Sequence, residues 1–524
     1  MTTPHTHEST AHTEGDEAPK VPRGEWRRQF IGLFVGLALA VLVFFIFPSN
    51  AIETVQGSSG ADPEAEYTLG AIRAVAAVTI LMGVWWMTEA IPLAATALLP
   101  LVVFPLAGVG SIKEVGAPYA SATIFLFMGG FLIALSLQRW NLHRRLALYV
   151  VKVIGTSPKR LILGFMLATG FLSMWVSNTA TAVVMLPIGT SVLALTAETV
   201  GGWEKQKKFA TALMLGIAYS ASIGSLGTLI GTPPNAFLNA YMADTWGVTL
   251  GFGRWMAVGV PLAVIFLLIA WALLITIFKP EMKDIPGGRE LIDDEIKALG
   301  PWTRPQIMTG IIFVLAAAAW VILPLVLKEF ENYDDAIVGI AAGIVLFILP
   351  ADNQRRTRLL DWKTANEMPW DVLLLFGGGL SLSSVFNSSG LSLWIGEMAK
   401  GLSVLPVVLI VAAVAALVLF LTEITSNTAT AATFIPIMGG VAVGVGLTAE
   451  GDINVLLLTI PVALAATCAF MLPVATPPNA IAYGSGYVKI GEMIKGGLGL
   501  NIIGIFLITL TVYLLALPIF GLSI

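Results

Sequence analysis

The side chains with most chemistry in this sequence form a phrase that is written twice. Ser177-Asn178-Thr179-Ala180-Thr181-Ala182 recurs as Ser426-Asn427-Thr428-Ala429-Thr430-Ala431, 249 positions later. A second phrase, Thr232-Pro233-Pro234-Asn235-Ala236, recurs as Thr476-Pro477-Pro478-Asn479-Ala480 at a shift of 244. Ser and Thr hydroxyls donate or accept a hydrogen bond, and an Asn side chain offers a carbonyl oxygen to a cation and an NH2 to an anion. The same residues suit a tight turn, because their side chains bond free backbone groups. Turn capping and ligand binding are therefore compatible uses of one phrase. Thr-Pro-Pro-Asn breaks a helix, since proline has no N–H and clashes with the preceding turn. The broken helix presents an N-terminus that suits an anion. Its freed carbonyl oxygens suit Na+, a hard cation. No Lys or Arg lies near either phrase in the sequence. An anion here would be held by neutral donors and balanced by bound cations or dipoles, not by an arginine clamp.

Both phrases sit inside long apolar segments. The chain has 524 residues, 56% of them hydrophobic and only 12% charged, where a soluble protein is about a quarter charged. Many apolar runs reach the roughly 20 residues that cross a bilayer, so this is a polytopic membrane protein. Polar, broken backbone at membrane depth is tolerated only where it is buried in protein or lines a cavity. Two copies in corresponding places of two halves point to a transporter's binding site. Apolar spans read as 30–47, 69–88, 91–107, 119–138, 255–278, 305–327, 336–350, 370–396 and 497–520. The regions 158–198, 206–243, 403–447 and 454–487 are long, apolar and interrupted by the repeated phrases. Cys468 is the single cysteine, which excludes an intrachain disulfide framework or a Cys-rich metal site. The first 25 or so residues, with His5, His7 and His12, are polar and lack the apolar centre of a signal peptide; they read as a disordered tail. The other histidine, His143, falls in a basic loop.

Charge sets the expected orientation. With the N-terminus in the cytoplasm and the regions 158–198 and 403–447 re-entrant, all but five of the 29 Lys and Arg residues fall inside. The five are Arg73, Lys113, Arg254, Lys328 and Lys400. The opposite loops carry acids, among them Glu53, Asp62, Glu329, Asp334 and Glu450. This meets the positive-inside rule. If 158–198 crossed fully, Lys205, Lys207 and Lys208 would lie opposite Lys159 and Arg160. The same logic opens the second hairpin outward. The expected chain is an all-α polytopic membrane protein with about eleven transmembrane helices and two re-entrant hairpins. Its parts are a disordered cytoplasmic tail (1–28), a first transmembrane helix and outer loop (29–68), a first repeat (69–280) with an inward-opening hairpin, a cytoplasmic linker (281–304), and a second repeat (305–524) with an outward-opening hairpin. Phe127-Met128-Gly129-Gly130 matching Leu375-Phe376-Gly377-Gly378, and Pro187 matching Pro436, extend the inverted repeat.

Glu423 precedes the second phrase, where Met174 occupies the matching place in the first half. An intramembrane acid is a functional candidate, although a structural hydrogen bond suits Glu423 better. Glu89 falls at a span end, in a short cytoplasmic turn. A Ser–His hydrolase needs a histidine beside its serine, and none lies near these phrases. No H-E-x-x-H metal motif is present, so an enzyme is disfavoured. A channel places its pore rings by oligomer symmetry, whereas the paired elements here lie in one chain.

At these residues the chain resembles the divalent anion/sodium symporter family, which includes bacterial Na+/dicarboxylate symporters and citrate-transporter relatives. The resemblance covers residues 25–524. It implies a homodimer with a scaffold domain and a transport domain that moves as an elevator. It implies one Na+ site from Ser173, Ser177, Asn178 and Gly231, and a second from Thr422, Thr425, Asn427 and Ala475. Substrate carboxylates would meet Asn178, Thr179, Thr232, Ser426, Asn427, Thr428 and Thr476, with Pro477 packing nearby. The implied activity is import of a C4-dicarboxylate (succinate, malate or fumarate) with co-transported Na+, across the cell membrane. A sodium-independent dicarboxylate or citrate exchanger of the same fold, or a sulfate or tricarboxylate symporter, fits the same motifs.

Overall fold

The computed structural model describes residues 23–523, apart from 59, 286, 328–329, 331–332, 353–355 and 448–453. Its helices come in two matching series. The first half runs through α1 (Arg23–Ile46), α2 (Leu69–Thr88), α3 (Ala122–Arg139), α4 (Pro158–Ser173), α5 (Asn178–Val200), α6 (Lys207–Ser225), α7 (Pro233–Trp246) and α8 (Phe252–Ile277). The second runs through α9 (Arg304–Val326), α10 (Asp335–Ile348), α11 (Trp370–Ser388), α12 (Val407–Thr422), α13 (Asn427–Gly444), α14 (Leu456–Thr467), α15 (Pro477–Gly484) and α16 (Ile490–Thr511). From α3 and α11 onward each half repeats one order: long helix, hairpin, broken helix, long helix. Among the described residues eight helices are long and apolar enough to cross a membrane, and four shorter apolar helices accompany them, α10, α12 and α14 included.

The repeated phrases stand where the helices are interrupted. Ser177 and Ser426 are the N-cap residues of α5 and α13, after the turns 174–177 and 423–426. Thr232 and Thr476 are the N-caps of α7 and α15, with both prolines in the first turn, where a missing N–H removes no helical bond. Between α6 and α7 the chain is non-helical over 226–232, and between α14 and α15 over 468–476. Thr156 before α4 and Leu195 near the end of α5 lie beside Gly288 and Gly287, so both ends of the first hairpin meet one segment. At the second hairpin, the Gly444 backbone lies directly against Gly396 in the helix Leu391–Ala399.

Several expectations need correction. Residues 23–28 are the first turns of α1 and not part of a disordered tail; the rest of that tail lies outside the described residues, as do Lys328, Glu329, Glu331, Arg355, Glu450 and Asp452. The apolar run 370–396 is two helices parted at Gly390, whose φ of +83° favours glycine. The run 91–107 is likewise two short helices, Leu93–Thr96 and Leu99–Leu106. A two-stranded ladder, Pro350–Asp352 with Thr357–Arg358, interrupts the all-α chain. His143 is not in a loop: it is buried in the helix Leu142–Ile154, with Nδ1 3.1 Å from the Leu137 carbonyl. That helix hides its charges in pairing, since Arg144 and Lys152 each reach an acid of the linker, Glu295 and Asp293, at 2.7 Å.

The linker 281–304 is therefore a docked element. Its helix Gly288–Ala298 ends at the guanidinium of Arg145, which donates to the carbonyls of Leu299, Gly300 and Pro301 at 2.9, 2.8 and 3.3 Å. Carbonyls at a helix C-terminus lack internal partners and favour a cation. Arg145 is 2% exposed and lies over the Trp302 ring. Arg145→Ala leaves these carbonyls unpaired, a loss of about 2–4 kcal/mol. Protease cleavage between 285 and 304 in detergent-solubilised protein should accelerate severalfold; cleavage at the wild-type rate would contradict the docking role.

Candidate functional site

At the tip of each hairpin three oxygens converge. Ser173 Oγ, at the end of α4, is 2.6 Å from Asn178 Oδ1 and 2.5 Å from the Ala221 carbonyl of α6. Thr422 Oγ1, at the end of α12, is 2.8 Å from Asn427 Oδ1 and 2.8 Å from the Ala466 carbonyl of α14. In each cluster one hydroxyl faces two acceptors with a single proton to give. Such a donor-poor oxygen set has the chemistry of a hard-cation site. The hydroxyls of Ser173 and Thr422 are fully buried, while the tips in front of them are open: Ser177 and Thr179 are exposed, and Asn178, Ser426, Asn427 and Thr428 are half-buried.

The unwound segments complete the setting. Gly231 and Ala475 are buried in them. Gly231 approaches the Ser225 carbonyl so closely that an added Cβ would stand 2.3 Å from its oxygen, which explains a glycine there. Thr232 and Thr476 are buried, and Pro477 is exposed. Thr232 Oγ1 lies 3.3 Å from Thr467 Oγ1, a contact between the halves. Its counterpart is not made: Thr476 Oγ1 accepts from its own Asn479 N–H at 3.3 Å, and the buried Ser222 hydroxyl has no partner. The halves also cross in their packing, α5 against α15 and α13 against α7.

Two expected ligands are otherwise engaged through their side chains. Ser177 Oγ accepts the Ala180 N–H at 3.3 Å as an N-cap. Thr425 Oγ1 lies 2.9 Å from the Leu421 carbonyl and 2.7 Å from Thr430 Oγ1. Neither hydroxyl is hydrogen-bonded into the cluster beside it. Among the described residues the two tips share no direct hydrogen bond, and no Lys or Arg bonds to either.

Sequence reading passed over the residues that hold the breaks open. Asn235 Nδ2 donates toward the carbonyls of Thr228, Leu226 and Ser225 at 2.9, 3.3 and 3.4 Å. Asn479 Nδ2 does the same for Ala469 and Leu472, both at 3.1 Å. Each is fully buried, with an Oδ1 that lacks a partner. Their place in the doubled phrase was the available signal. Glu423 accepts from the N–H groups of Phe470 (2.7 Å), Met471 (3.0 Å) and Leu472 (3.2 Å) and from Asn501 Nδ2 (2.7 Å), so the hydrogen-bonding role expected of it is what the geometry displays. Glu89 stands at the end of α2 with φ +50°, paired with Arg28 at 2.7 Å.

An apolar, helix-broken, internally repeated chain with oxygen clusters at its interruptions defines a membrane transporter. Residues 63–521 match the family described as the sodium:sulfate symporter transmembrane region, and the chain belongs to it. It is a multi-pass membrane transporter and not an enzyme. The chain is similar to the sodium-dependent dicarboxylate transporter SdcS of Staphylococcus saprophyticus, at 40% identity over 95% of this chain and 93% of the relative. SdcS of Staphylococcus aureus strain USA300 is 44% identical over 86% and 87%. Two solved structures share the fold at lower identity. They are the YdaH transporter of Alcanivorax borkumensis (TM-score 0.52, 15% identity, 85% of this chain and 98% of that one) and MtrF of Neisseria gonorrhoeae (TM-score 0.52, 11% identity, 97% of each).

Asn235→Leu and Asn479→Leu keep side-chain bulk and remove the donor. Each should lose about 2–4 kcal/mol, because buried carbonyls are left unpaired. A clear fall in the thermal unfolding midpoint is expected; a wild-type midpoint in both variants would refute the plugging role.

Proposed function

We propose that this protein imports C4-dicarboxylates such as succinate, malate or fumarate together with Na+, by an elevator form of alternating access. The observation that carries the reading is the pair of donor-poor oxygen clusters, one per half, behind the Ser-Asn-Thr tips. The naming of the 40–44% identical relatives as sodium-dependent dicarboxylate transporters supports it. Na+ ions at Ser173, Asn178 and Gly231, and at Thr422, Asn427 and Ala475, would supply the positive charge that the site lacks. Ser177 and Thr425 would serve through backbone carbonyls, since their hydroxyls are engaged. The carboxylates would then meet the Asn178 and Asn427 NH2 groups, the hydroxyls of Thr179, Ser426, Thr428, Thr232 and Thr476, and the N-termini of α5, α7, α13 and α15, with Pro477 as an apolar wall. Helix N-termini favour anions, and neutral donors release a substrate more readily than an arginine clamp does.

The reading extends to architecture. The two hairpins enter from opposite faces of about eleven spans, with an inner N-terminus, an outer C-terminus and a homodimeric scaffold. Ion pairs and a backbone hydrogen bond bring the basic segments around Arg144, Lys152 and Lys208 to the linker acids Glu295, Asp293 and Glu281, which supports one cytoplasmic face. Purified protein in liposomes with an inward Na+ gradient should accumulate succinate, and replacing Na+ by a large organic cation should cut uptake at least about tenfold. Uptake that ignores Na+ and requires internal dicarboxylate would replace symport with exchange. Asn178→Ala and Asn427→Ala should each abolish uptake with near-normal yield of folded protein. Retained uptake in either would remove that residue from the site.

A further inference from the structure

A cavity of about 470 Å3 lies apart from the hairpin tips and is lined by none of the residues placed in the site above. Its size falls within the roughly 300–1,000 Å3 of ordinary ligand sites. Trp203, Lys207 and Thr211 line it from the first half of the chain, and Tyr487, Lys489 and Glu492 from the second. It lies at the linker side of the molecule. There α6 begins at Lys207, and the N–H groups of Lys208 and Phe209 bond Glu281 at 2.8 and 3.1 Å. The apolar wall is a ring pair, Trp203 and Tyr487, with centroids 5.1 Å apart. Aromatic side chains of this kind gather where a membrane meets water. The helix α16, which starts at the cavity, exposes Ile490, Leu498, Ile502 and Phe506, as a lipid-facing helix does.

The polar wall carries two ammonium groups and one carboxylate. The carboxylate is turned onto the protein: Glu492 Oε2 accepts the Lys489 N–H at 2.9 Å and the Thr211 hydroxyl at 3.4 Å. Lys207 pairs with the exposed Glu204 one turn earlier, a surface contact worth little in water. Lys489 is exposed and has no ion pair among the described residues. Two ammonium groups beside one cavity repel each other, and an anion between them relieves that repulsion. We propose that this cavity binds an anionic phosphate ester. The Lys207 and Lys489 ammonium groups hold the phosphate oxygens as point charges, and the Trp203–Tyr487 wall covers the apolar part of the ester. Two sources carry this chemistry at a membrane boundary. One is the headgroup of an anionic phospholipid, which basic pockets between membrane helices recognise. The other is a soluble phosphate ester. In either case the bound phosphate joins the start of α6 to the start of α16, and so one half of the chain to the other.

The test is the thermal unfolding midpoint of the purified full-length protein in nonionic detergent and choline chloride, without Na+ or dicarboxylate. The probes are dihexanoyl phosphatidylglycerol, dihexanoyl phosphatidylcholine and glycerol 3-phosphate. Wild type should gain stability saturably from an anionic probe and not from phosphatidylcholine. Gain from phosphatidylglycerol alone assigns the site to a lipid headgroup, and gain from glycerol 3-phosphate as well assigns it to the soluble ester. Combining Lys207→Gln with Lys489→Gln should raise the half-stabilising concentration at least about tenfold. Lys489→Gln alone should raise it about threefold, and it replaces the double variant if that protein does not fold. Lys205→Gln, at an exposed lysine outside the cavity, should leave the half-point within about twofold of wild type. No saturable gain from either anionic probe, equal gain from phosphatidylcholine, or a Lys205→Gln shift as large as that of the cavity variants would overturn the proposal. The transport reading would stand in each case, since no arm uses Na+ or transport.

Discussion

Everything in this fold follows from the need to satisfy broken backbone inside an apolar slab. A helix interrupted at membrane depth exposes N–H and C=O groups, each costly to leave unpaired. The chain answers with side chains aimed at its own breaks. Asn235 and Asn479 take the carbonyls, and Glu423 takes three N–H groups. Once the breaks are held, carbonyls such as those of Ala221 and Ala466 have room beside Ser173 and Thr422. The oxygen clusters are consequences of the interruption and are not separate inventions.

The repeat gives the site two matching sets of groups, which depart from symmetry at particular positions. Ser173 and Thr422 both present a hydroxyl, but Gly231 faces Ala475 and Met174 faces Glu423 across the repeat. Thr232 reaches Thr467 while Ser222 is left unpaired. A strictly symmetric site would bind two ions with equal affinity. This one is not strictly symmetric, since an acidic residue follows Thr422 where Met174 follows Ser173.

Much of this was legible in the sequence, because the constraint acts on side chains close to the breaks. The doubled phrases located both hairpin turns and both interruptions, and proline chemistry put Thr232 and Thr476 at helix starts. The pairing of Ser173 with Asn178 follows from their spacing across one turn. The Ala221 and Ala466 carbonyls were not legible, since a backbone acceptor carries no residue signature. The partners of Glu423 lie 47, 48, 49 and 78 positions away, beyond any local pattern. The helix Leu142–Ile154 was read as loop because Arg144, Arg145 and Lys152 break its apolar run, and their acceptors lie in a linker 141–156 positions further on.

The central claim is that each hairpin tip carries one Na+ site, built around Ser173 and around Thr422. The Na+ activation curve of dicarboxylate uptake in proteoliposomes tests it most directly. Wild type should respond sigmoidally, as cooperative loading of two sites requires. Ser173→Ala and Thr422→Ala should each raise the half-activating Na+ concentration at least about tenfold and flatten the curve toward a simple hyperbola. Curves that match wild type in both midpoint and shape for both variants would contradict the account.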